Sequence, residues 1–156
     1  MDFPVGEVSG YRPIYETEVD MTIEFGANRN IVNPGQIYVL NGFLLLNDIG
    51  KGIHVIDNTD PSRPTKLGFL QVAGSENMAI KDGVLYVNQY NELVAIDISD
   101  LNNIEVVSRN LITFENALVS QNIPPQSGFY FECPDPAQGR VVGWEITTID
   151  NPECFR

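Results

Sequence analysis

The sequence predicts an all-β fold made of two similar antiparallel units. One sequence motif occurs twice: GIHVIDNTDP at residues 52–61 is followed forty positions later by the similar ELVAIDISDL at residues 92–101. Each copy belongs to a group of four short strand-like runs, and Asn-Gly or Asp-Gly joins the first two runs of each group. Four antiparallel strands at a period near 40 residues are typical of a β-propeller blade. The predicted fold class is therefore all-β, with propeller-type antiparallel blades.

The repeat aligns residue by residue at a period of 40 to 41 positions. The aligned pairs are Gly42 with Gly83, Leu44 with Leu85, Leu46 with Val87, Asn47 with Asn88, Ile53 with Leu93, Val55 with Ala95, Ile56 with Ile96 and Asp57 with Asp97. A single repeat of this kind cannot bury both of its faces, so neighbouring copies cover each other. This requirement explains why the motif occurs in two copies.

Each repeat contains four predicted strands. In the first repeat, residues 36–76, the runs are QIYVL, FLLLN, IHVID and TKLGFLQV; in the second, residues 77–114, they are MAI, VLYVN, LVAID and IEVVSRNLI. Asn-Gly and Asp-Gly between apolar runs favour type I′ hairpin turns, which need positive φ at both central residues. The runs FLLL and VLYV are apolar at successive positions, which indicates strands covered on both faces.

The segments outside the repeats are assigned to a linker and a hairpin. Residues 1–35 are predicted to be an N-terminal extension or linker, and residues 115–156 a linker followed by a C-terminal β-hairpin. In that hairpin, FYFEC and RVVGWEITT are strand-like and PDPAQG is rich in turn formers. A hairpin of this length brings Cys133 and Cys154 together at its open end, which favours a disulfide over two reduced thiols. The disulfide would contribute about 3 kcal/mol and imply an oxidising compartment.

Two repeats are fewer than a closed ring contains, so the prediction includes an incomplete propeller. Two blades leave two open faces and unpaired strand edges, which propellers normally remove by closing the ring. We expect these faces to be covered by the first 35 residues, by the hairpin or by another chain. Association of the isolated chain is the corresponding prediction.

Composition and charge exclude several classes of function. The 9 basic and 21 acidic residues give a net charge of −12, which argues against nucleic-acid binding because that relies on clustered Lys and Arg. No stretch approaches 18 consecutive apolar residues. The first ten residues, MDFPVGEVSG, contain neither a basic nor an apolar region, so we expect no signal peptide in the sequence as written.

No constellation of catalytic or metal-ligating residues emerges. His54 is the only histidine, and its place within a strand predicts a structural role. Five aspartates invite a calcium interpretation, but their spacing is not that of an EF-hand, and turn capping is favoured: Asp48, Asp57, Asp60, Asp97 and Asp100. No serine has a nucleophile motif around it, and Gly50 to Gly52 form a hairpin turn and no phosphate loop. We therefore predict no enzyme activity, no cofactor and no metal.

Aromatic side chains are the remaining candidates for binding. Tyr38, Tyr86, Tyr90 and Trp144 are considered because tyrosine and tryptophan are favoured at interfaces and on sugar-stacking platforms. Tyr90 is the only one of them in a predicted loop, NQYNE. Tyr90 and Trp144 are retained as possible binding residues. The equally ordinary interpretation is that all of these rings belong to a β-core.

Several stretches resemble a known repeat family. GIHVIDNTDPSRP and LVAIDISDL resemble the LVIVD repeat of bacterial β-propeller proteins. RPIY, VNPGQIYVLNGFLLLND, KGIHVIDNTDPSRP and FECPDPAQGRVVGWE are similar to Bacteroidetes surface or periplasmic lipoproteins that carry this repeat, over residues 12–144. The resemblance implies an exported, lipid-anchored propeller without an assigned enzymatic activity. This sequence departs from the family in its missing lipobox cysteine and in its two clear repeats.

The expected function follows from these observations. The sequence favours a non-enzymatic binding or scaffolding module of the bacterial cell envelope, in an outer-membrane lipoprotein complex as the resemblance implies. The alternative is a carbohydrate- or peptide-binding surface protein that uses loop aromatics. A protein partner in the envelope is expected, nucleic acid is not, and membrane attachment would require a lipid anchor that the sequence as written does not contain. An envelope hydrolase is a third hypothesis, for which the sequence nominates no residue.

Overall fold

The computed structural model describes residues 2–112 and 122–156, and the fold in these ranges is all-β. Two short 3₁₀ turns, Glu16–Glu18 and Pro136–Gln138, are the helical elements described. No helix within the described ranges is long and apolar enough to cross a membrane. The strands are β1 (Glu7–Tyr15), β2 (Glu24–Gly26), β3 (Pro34–Leu40), β4 (Phe43–Asp48), β5 (Gly52–Asp57), β6 (Thr65–Gln71), β7 (Met78–Lys81), β8 (Val84–Gln89), β9 (Glu92–Asp97), β10 (Glu105–Leu111), β11 (Tyr130–Phe131), β12 (Val141–Asp150) and β13 (Cys154–Phe155).

The chain divides into two compact units. Met21–Ile112 form the repeat unit, and the described residues on either side of it form the terminal unit. The repeat unit contains a first sheet, in the order β2-β6-β5-β4-β3, and a second sheet, in the order β10-β9-β8-β7. All pairings in both sheets are antiparallel. The eight strands expected from the two repeats are thereby confirmed, while the described residues form no closed barrel or propeller ring.

The two repeats share their hairpin turns and a bulge. Asn41-Gly42 has φ of 44° and 83°, and Asp82-Gly83 has φ of 51° and 78°, so both pairs adopt the positive φ that type I′ turns need. In the first sheet a register shift between β5 and β6 leaves Leu67 without a cross-strand partner. The same shift between β9 and β10 leaves Val107 unpaired. The two repeats therefore share the pairing register of their strands as well as their sequence pattern.

The hydrophobic core of the repeat unit lies between its two sheets. Buried aliphatic side chains of both sheets form one cluster: Leu45, Ile53, Val55, Leu70, Val72, Met78, Leu85, Val87, Val94 and Ile96. Side chains alternate between the two faces of a strand, so these residues select one face of each sheet. Two side-chain bonds add to the contact, since Tyr38 Oη donates to the Ile80 carbonyl (3.3 Å) and the Met78 N–H donates to Gln36 Oε1 (2.9 Å).

The terminal unit corrects the prediction of a C-terminal hairpin. Its sheet has the order β12-β1-β11-β13, so β1 separates the two segments that were expected to pair with each other. β1 pairs with β12 from Glu7 opposite Asp150 to Tyr15 opposite Val141. β11 is only two residues long and offers β12 a much shorter partner than β1 does. Residues 7–15 are consequently a central strand and not part of an extension or linker.

The predicted disulfide between Cys133 and Cys154 is confirmed. The two Cα atoms lie 5.4 Å apart. The bond connects the end of β11 to β13, where Phe131 lies opposite Cys154. The geometry differs from the expected one, because the two cysteines meet through the β11–β13 pair and not at the open end of a hairpin.

Candidate interaction surface

The two sheets of the repeat unit contact each other through faces that are not equivalent. The face of the first sheet that enters the core carries residues whose aligned counterparts in the second sheet point away from the core. The cross-strand registers give these pairs as Leu45 with Tyr86, Ile53 with Leu93 and Val55 with Ala95. The core side of the second sheet instead carries Leu85, Val87, Val94 and Ile96. The repeats thus stack head to tail.

Head-to-tail stacking leaves an open face on the second sheet. Leu45 and Ile53 are 3 % and 0 % exposed, whereas their counterparts Tyr86 and Leu93 are 39 % and 42 % exposed. We call the surface formed by Ala79, Tyr86, Leu93, Ser108 and Asn110 the open face. Tyr86 and Leu93 form its apolar part, and the polar side chains of Ser108 and Asn110 lie beside them.

The edge of the second sheet extends the open face. All seven residues of β10 are exposed, and β10 is the outermost strand of its sheet. Val107 stands out at the bulge with 54 % exposure. Exposed edge strands offer unpaired N–H and C=O groups to another strand, so this edge supplies backbone donors and acceptors next to the apolar face.

Residues 27–33 cover part of the outer face of the first sheet, whereas Ile37 and Val39 on the same face are 62 % and 66 % exposed. His54 and Asp48 lie on this face, both 1 % exposed, with His54 Nε2 2.8 Å from Asp48 Oδ2. Asp48 also accepts bonds from the backbone N–H groups of Val32 (3.0 Å) and Asn33 (2.8 Å). Fully buried in this network, His54 takes the structural place that the sequence predicted.

Two opposing effects act on the ionisation of Asp48. Burial of its carboxyl acts to raise the pKa, yet the bonds from His54 and from the two backbone N–H groups outweigh burial. The pKa of Asp48 is therefore lowered from its ordinary value. The His54 ring in turn packs against Phe69 (4.8 Å between centroids), and the guanidinium of Arg29 covers the same phenyl ring at 4.5 Å.

Four of the five aspartates predicted to cap turns do so: Asp57, Asp60, Asp97 and Asp100. The prediction is wrong for Asp48, because its carboxylate accepts bonds from residues 32 and 33 and not from its own turn. Asp57 Oδ1 accepts the backbone N–H of Thr59 (2.9 Å) and its hydroxyl, and these bonds lower the pKa of Asp57. Asp97 Oδ1 accepts the hydroxyl (2.6 Å) and N–H of Ser99, which lowers the pKa of Asp97 in the same way. In the described ranges no three His, Cys, Asp or Glu side chains are grouped to hold a metal ion.

The two aromatic candidates from the sequence lie in different units. Tyr90 is half-buried in the β8–β9 turn at a φ of 51°, with its ring against Gly74. Trp144 is half-buried in β12 and contacts Phe131 (5.6 Å) and Tyr11 (6.5 Å) edge to face. Tyr86, which was not retained as a binding residue because it lies in a strand, is exposed. A loop position was the signal that favoured Tyr90, and a strand residue on an uncovered face carries no such signal.

Comparisons with known proteins found no relative of this chain. No family model matched it, and no curated protein or solved structure did so either.

Proposed function

We propose that this protein is a non-enzymatic binding and scaffolding module of the β-propeller type. Its open face would receive a β-sheet of a protein partner. One observation carries the proposal: Leu45 and Ile53 are buried in the first sheet, and their counterparts in the second sheet, Tyr86 and Leu93, are exposed. In a head-to-tail contact each sheet offers one face to its neighbour and keeps the opposite type of face free. A further sheet can therefore repeat the same contact.

The chemistry of the open face supports a protein partner. Tyr86 is an aromatic anchor of the type that dominates binding energy in protein interfaces, and Leu93 adds apolar area on the same face. Leu45 and Ile53 show what such anchors do when a neighbouring sheet covers them, since both are completely or almost completely buried. The edge of β10 adds a row of backbone groups that a partner strand can pair with.

The proposed setting is the bacterial cell envelope, in an outer-membrane lipoprotein complex. The disulfide between Cys133 and Cys154 indicates an oxidising environment, which supports export. The narrower assignment to the outer membrane rests on the resemblance to LVIVD-repeat lipoproteins.

A capture experiment with matched variants tests this function. The wild-type chain, Leu93→Asp and Val39→Asp would each be used to retain partners from the native envelope in mild detergent. Val39 is the control because it is an exposed apolar strand residue of the first sheet. We expect a stoichiometric partner to be lost with Leu93→Asp and kept with Val39→Asp. Retention of the partner by both variants, or its loss from both, would refute docking on the open face.

A further inference from the structure

A second candidate site lies between the two sheets of the repeat unit, away from the open face. It is a pocket of about 410 Å³ at the end that carries the β3–β4 and β7–β8 hairpin turns. Its apolar wall combines residues of the first sheet with two residues of the β9–β10 loop: Leu40, Phe43, Leu45, Val55, Ile98 and Leu101. Pockets of this size are typical of small-molecule sites.

The apolar wall depends on a difference between the repeats. Ile98 and Leu101, in the β9–β10 loop, occupy the positions of Asn58 and Pro61 in the first repeat. The backbone is the same in both loops, because Asn58 N–H donates to Gly42 O (2.7 Å) and Ile98 N–H donates to Gly83 O (3.1 Å). The two loops thus share this backbone hydrogen bond, but the second loop carries apolar side chains at these two positions, and these side chains line the pocket.

The mouth of the pocket is acidic. Asp100 lines it together with Asn41 and Ser99. The Asn102 backbone N–H holds Asp100 Oδ1 at 2.9 Å, and no lysine or arginine of the described residues forms an ion pair with this carboxylate. Asp82 and Asp97 flank the lining residues Gly83 and Ile98 in the chain. The nearby Lys81 is on the opposite side of β7 from Ile80, which packs against the core.

We infer that this pocket binds a small organic cation, with an aromatic or branched aliphatic body in the apolar cavity and an ammonium group at Asp100. An apolar body removes the wall residues from water, and the positive head matches the acidic mouth. An anion of the same shape meets the same wall but is repelled by Asp100 and its acidic neighbours. The inference is independent of partner docking on the open face.

Three probes of matched structure test the ligand class by NMR titration of the full chain. They are 2-phenylethylamine, 3-phenylpropionate, which replaces the ammonium by a carboxylate, and ethylamine, which lacks the ring. We expect 2-phenylethylamine to bind with a Kd on the order of a millimolar and to shift the signals of residues 40–45 and 98–101. We expect the other two probes to bind at least roughly tenfold more weakly, which is about 1.4 kcal/mol.

Equivalent substitutions in the two repeats separate the site from general surface charge. Asp60 occupies the position of Asp100 in the first repeat and does not line the pocket. We expect Asp100→Asn to weaken 2-phenylethylamine binding about three- to fivefold and Asp60→Asn to leave it unchanged. Ile98→Asn, which installs the side chain of the first repeat, should weaken binding of the ring in the same way.

Three results measured on the wild-type chain alone would overturn the inference. These are equal binding of 3-phenylpropionate, signal shifts that fall outside the pocket, or no shift at the solubility limit of the amine. An equal loss of binding in Asp100→Asn and Asp60→Asn would assign the effect to net charge and refute the site.

Discussion

Asp48 and His54 show how single residues hold a segment of irregular chain onto a sheet. Asp48 is buried yet ionised because three donors surround its carboxylate: the His54 ring and the N–H groups of Val32 and Asn33. A buried carboxylate keeps its charge only where such bonds replace water. The structural role of His54 was predictable from its place in a strand. The other donors to Asp48 were not, because Val32 and Asn33 lie 16 and 15 positions before it in the chain.

Asp48→Asn tests the energetic importance of this network. The amide cannot replace a carboxylate that accepts three bonds, so buried donors would be left without partners. We expect the variant to lose about 3 kcal/mol of unfolding free energy, measured by urea denaturation. Asp60→Asn is the control, because Asp60 is exposed and bonds only within its own turn, and we expect its denaturation midpoint to be nearly unchanged. Equal midpoints for wild type and Asp48→Asn would contradict the assignment.

The lowered pKa of Asp48 predicts a specific dependence of stability on pH. A carboxyl whose folded pKa lies below its unfolded value stabilises the fold fully above the unfolded pKa, about 4. That contribution is lost as the pH falls through the folded pKa. We therefore expect the stability difference between wild type and Asp48→Asn to be largest near pH 7 and to shrink below about pH 4. A difference that grew on acidification would show that the sign is wrong.

At the scale of elements, local signals were sufficient for the repeats and insufficient for the terminal unit. Strands β3 to β10 are bounded by turns whose chemistry is visible in the sequence, such as Asn41-Gly42 and Asp82-Gly83. β1 pairs with β12 across more than a hundred residues, from Glu7 with Asp150 to Tyr15 with Val141. No local pattern identifies such a partner. The hairpin prediction failed because it chose the nearest strand-like segment in the chain.

A glycine in β1 provides a test of this central strand. A Cβ at Gly10 would lie 2.5 Å from the carbonyl oxygen of Tyr130 and would overlap the side chain of Ile149. Backbone atoms of the neighbouring strand cannot yield cheaply, so we expect Gly10→Ala to cost about 2 kcal/mol or more. Gly26→Ala is the matched control, since Gly26 is also in a strand and a Cβ there meets nothing within 4 Å. Thermal denaturation of both variants measures the difference. A smaller loss for Gly10→Ala than for Gly26→Ala would argue against β1 as the centre of its sheet.

The disulfide makes an element-scale prediction for the same sheet. Cys133 and Cys154 are 21 positions apart, and cross-linking such a loop contributes about 3 kcal/mol through the unfolded chain. We expect the double variant Cys133→Ser with Cys154→Ser to lose about that amount, and wild type in reductant to behave in the same way. Hydrogen exchange should locate the loss in β11 and β13. Unchanged protection of these strands after reduction would contradict this account.

At the scale of the whole molecule, the repeats revealed that two sheets pack together but not which faces remain outside. Tyr86 and its counterpart Leu45 are both large and apolar, so composition alone does not separate a buried position from an exposed one. Leu45 is buried because the second sheet covers it. Tyr86 is exposed because it lies on the face of the second sheet that points away from the first. The pocket also depends on the packing of the two repeats, because its wall combines residues of the first sheet with the β9–β10 loop of the second repeat.

The open face predicts concentration-dependent association of the isolated chain. Exposed tyrosine and leucine beside an unpaired edge strand favour contact with any available sheet. We expect the sedimentation coefficient of the wild-type chain to rise with concentration and that of Leu93→Asp to rise much less. Ile146→Asp, which replaces an exposed apolar strand residue of the terminal unit, should behave as wild type. A monodisperse wild-type monomer at high concentration would exclude self-association through this face.

The segment 27–33 divides the outer face of the first sheet into a covered part and an exposed part. The segment is fastened by Asp48 and by the contact of Arg29 with Phe69, so it shields the strand residues beneath it from a docking sheet. Ile37 and Val39 lie outside this cover and are 62 % and 66 % exposed. Seven residues of irregular chain therefore reduce the area that a neighbouring sheet can contact on this side of the repeat unit.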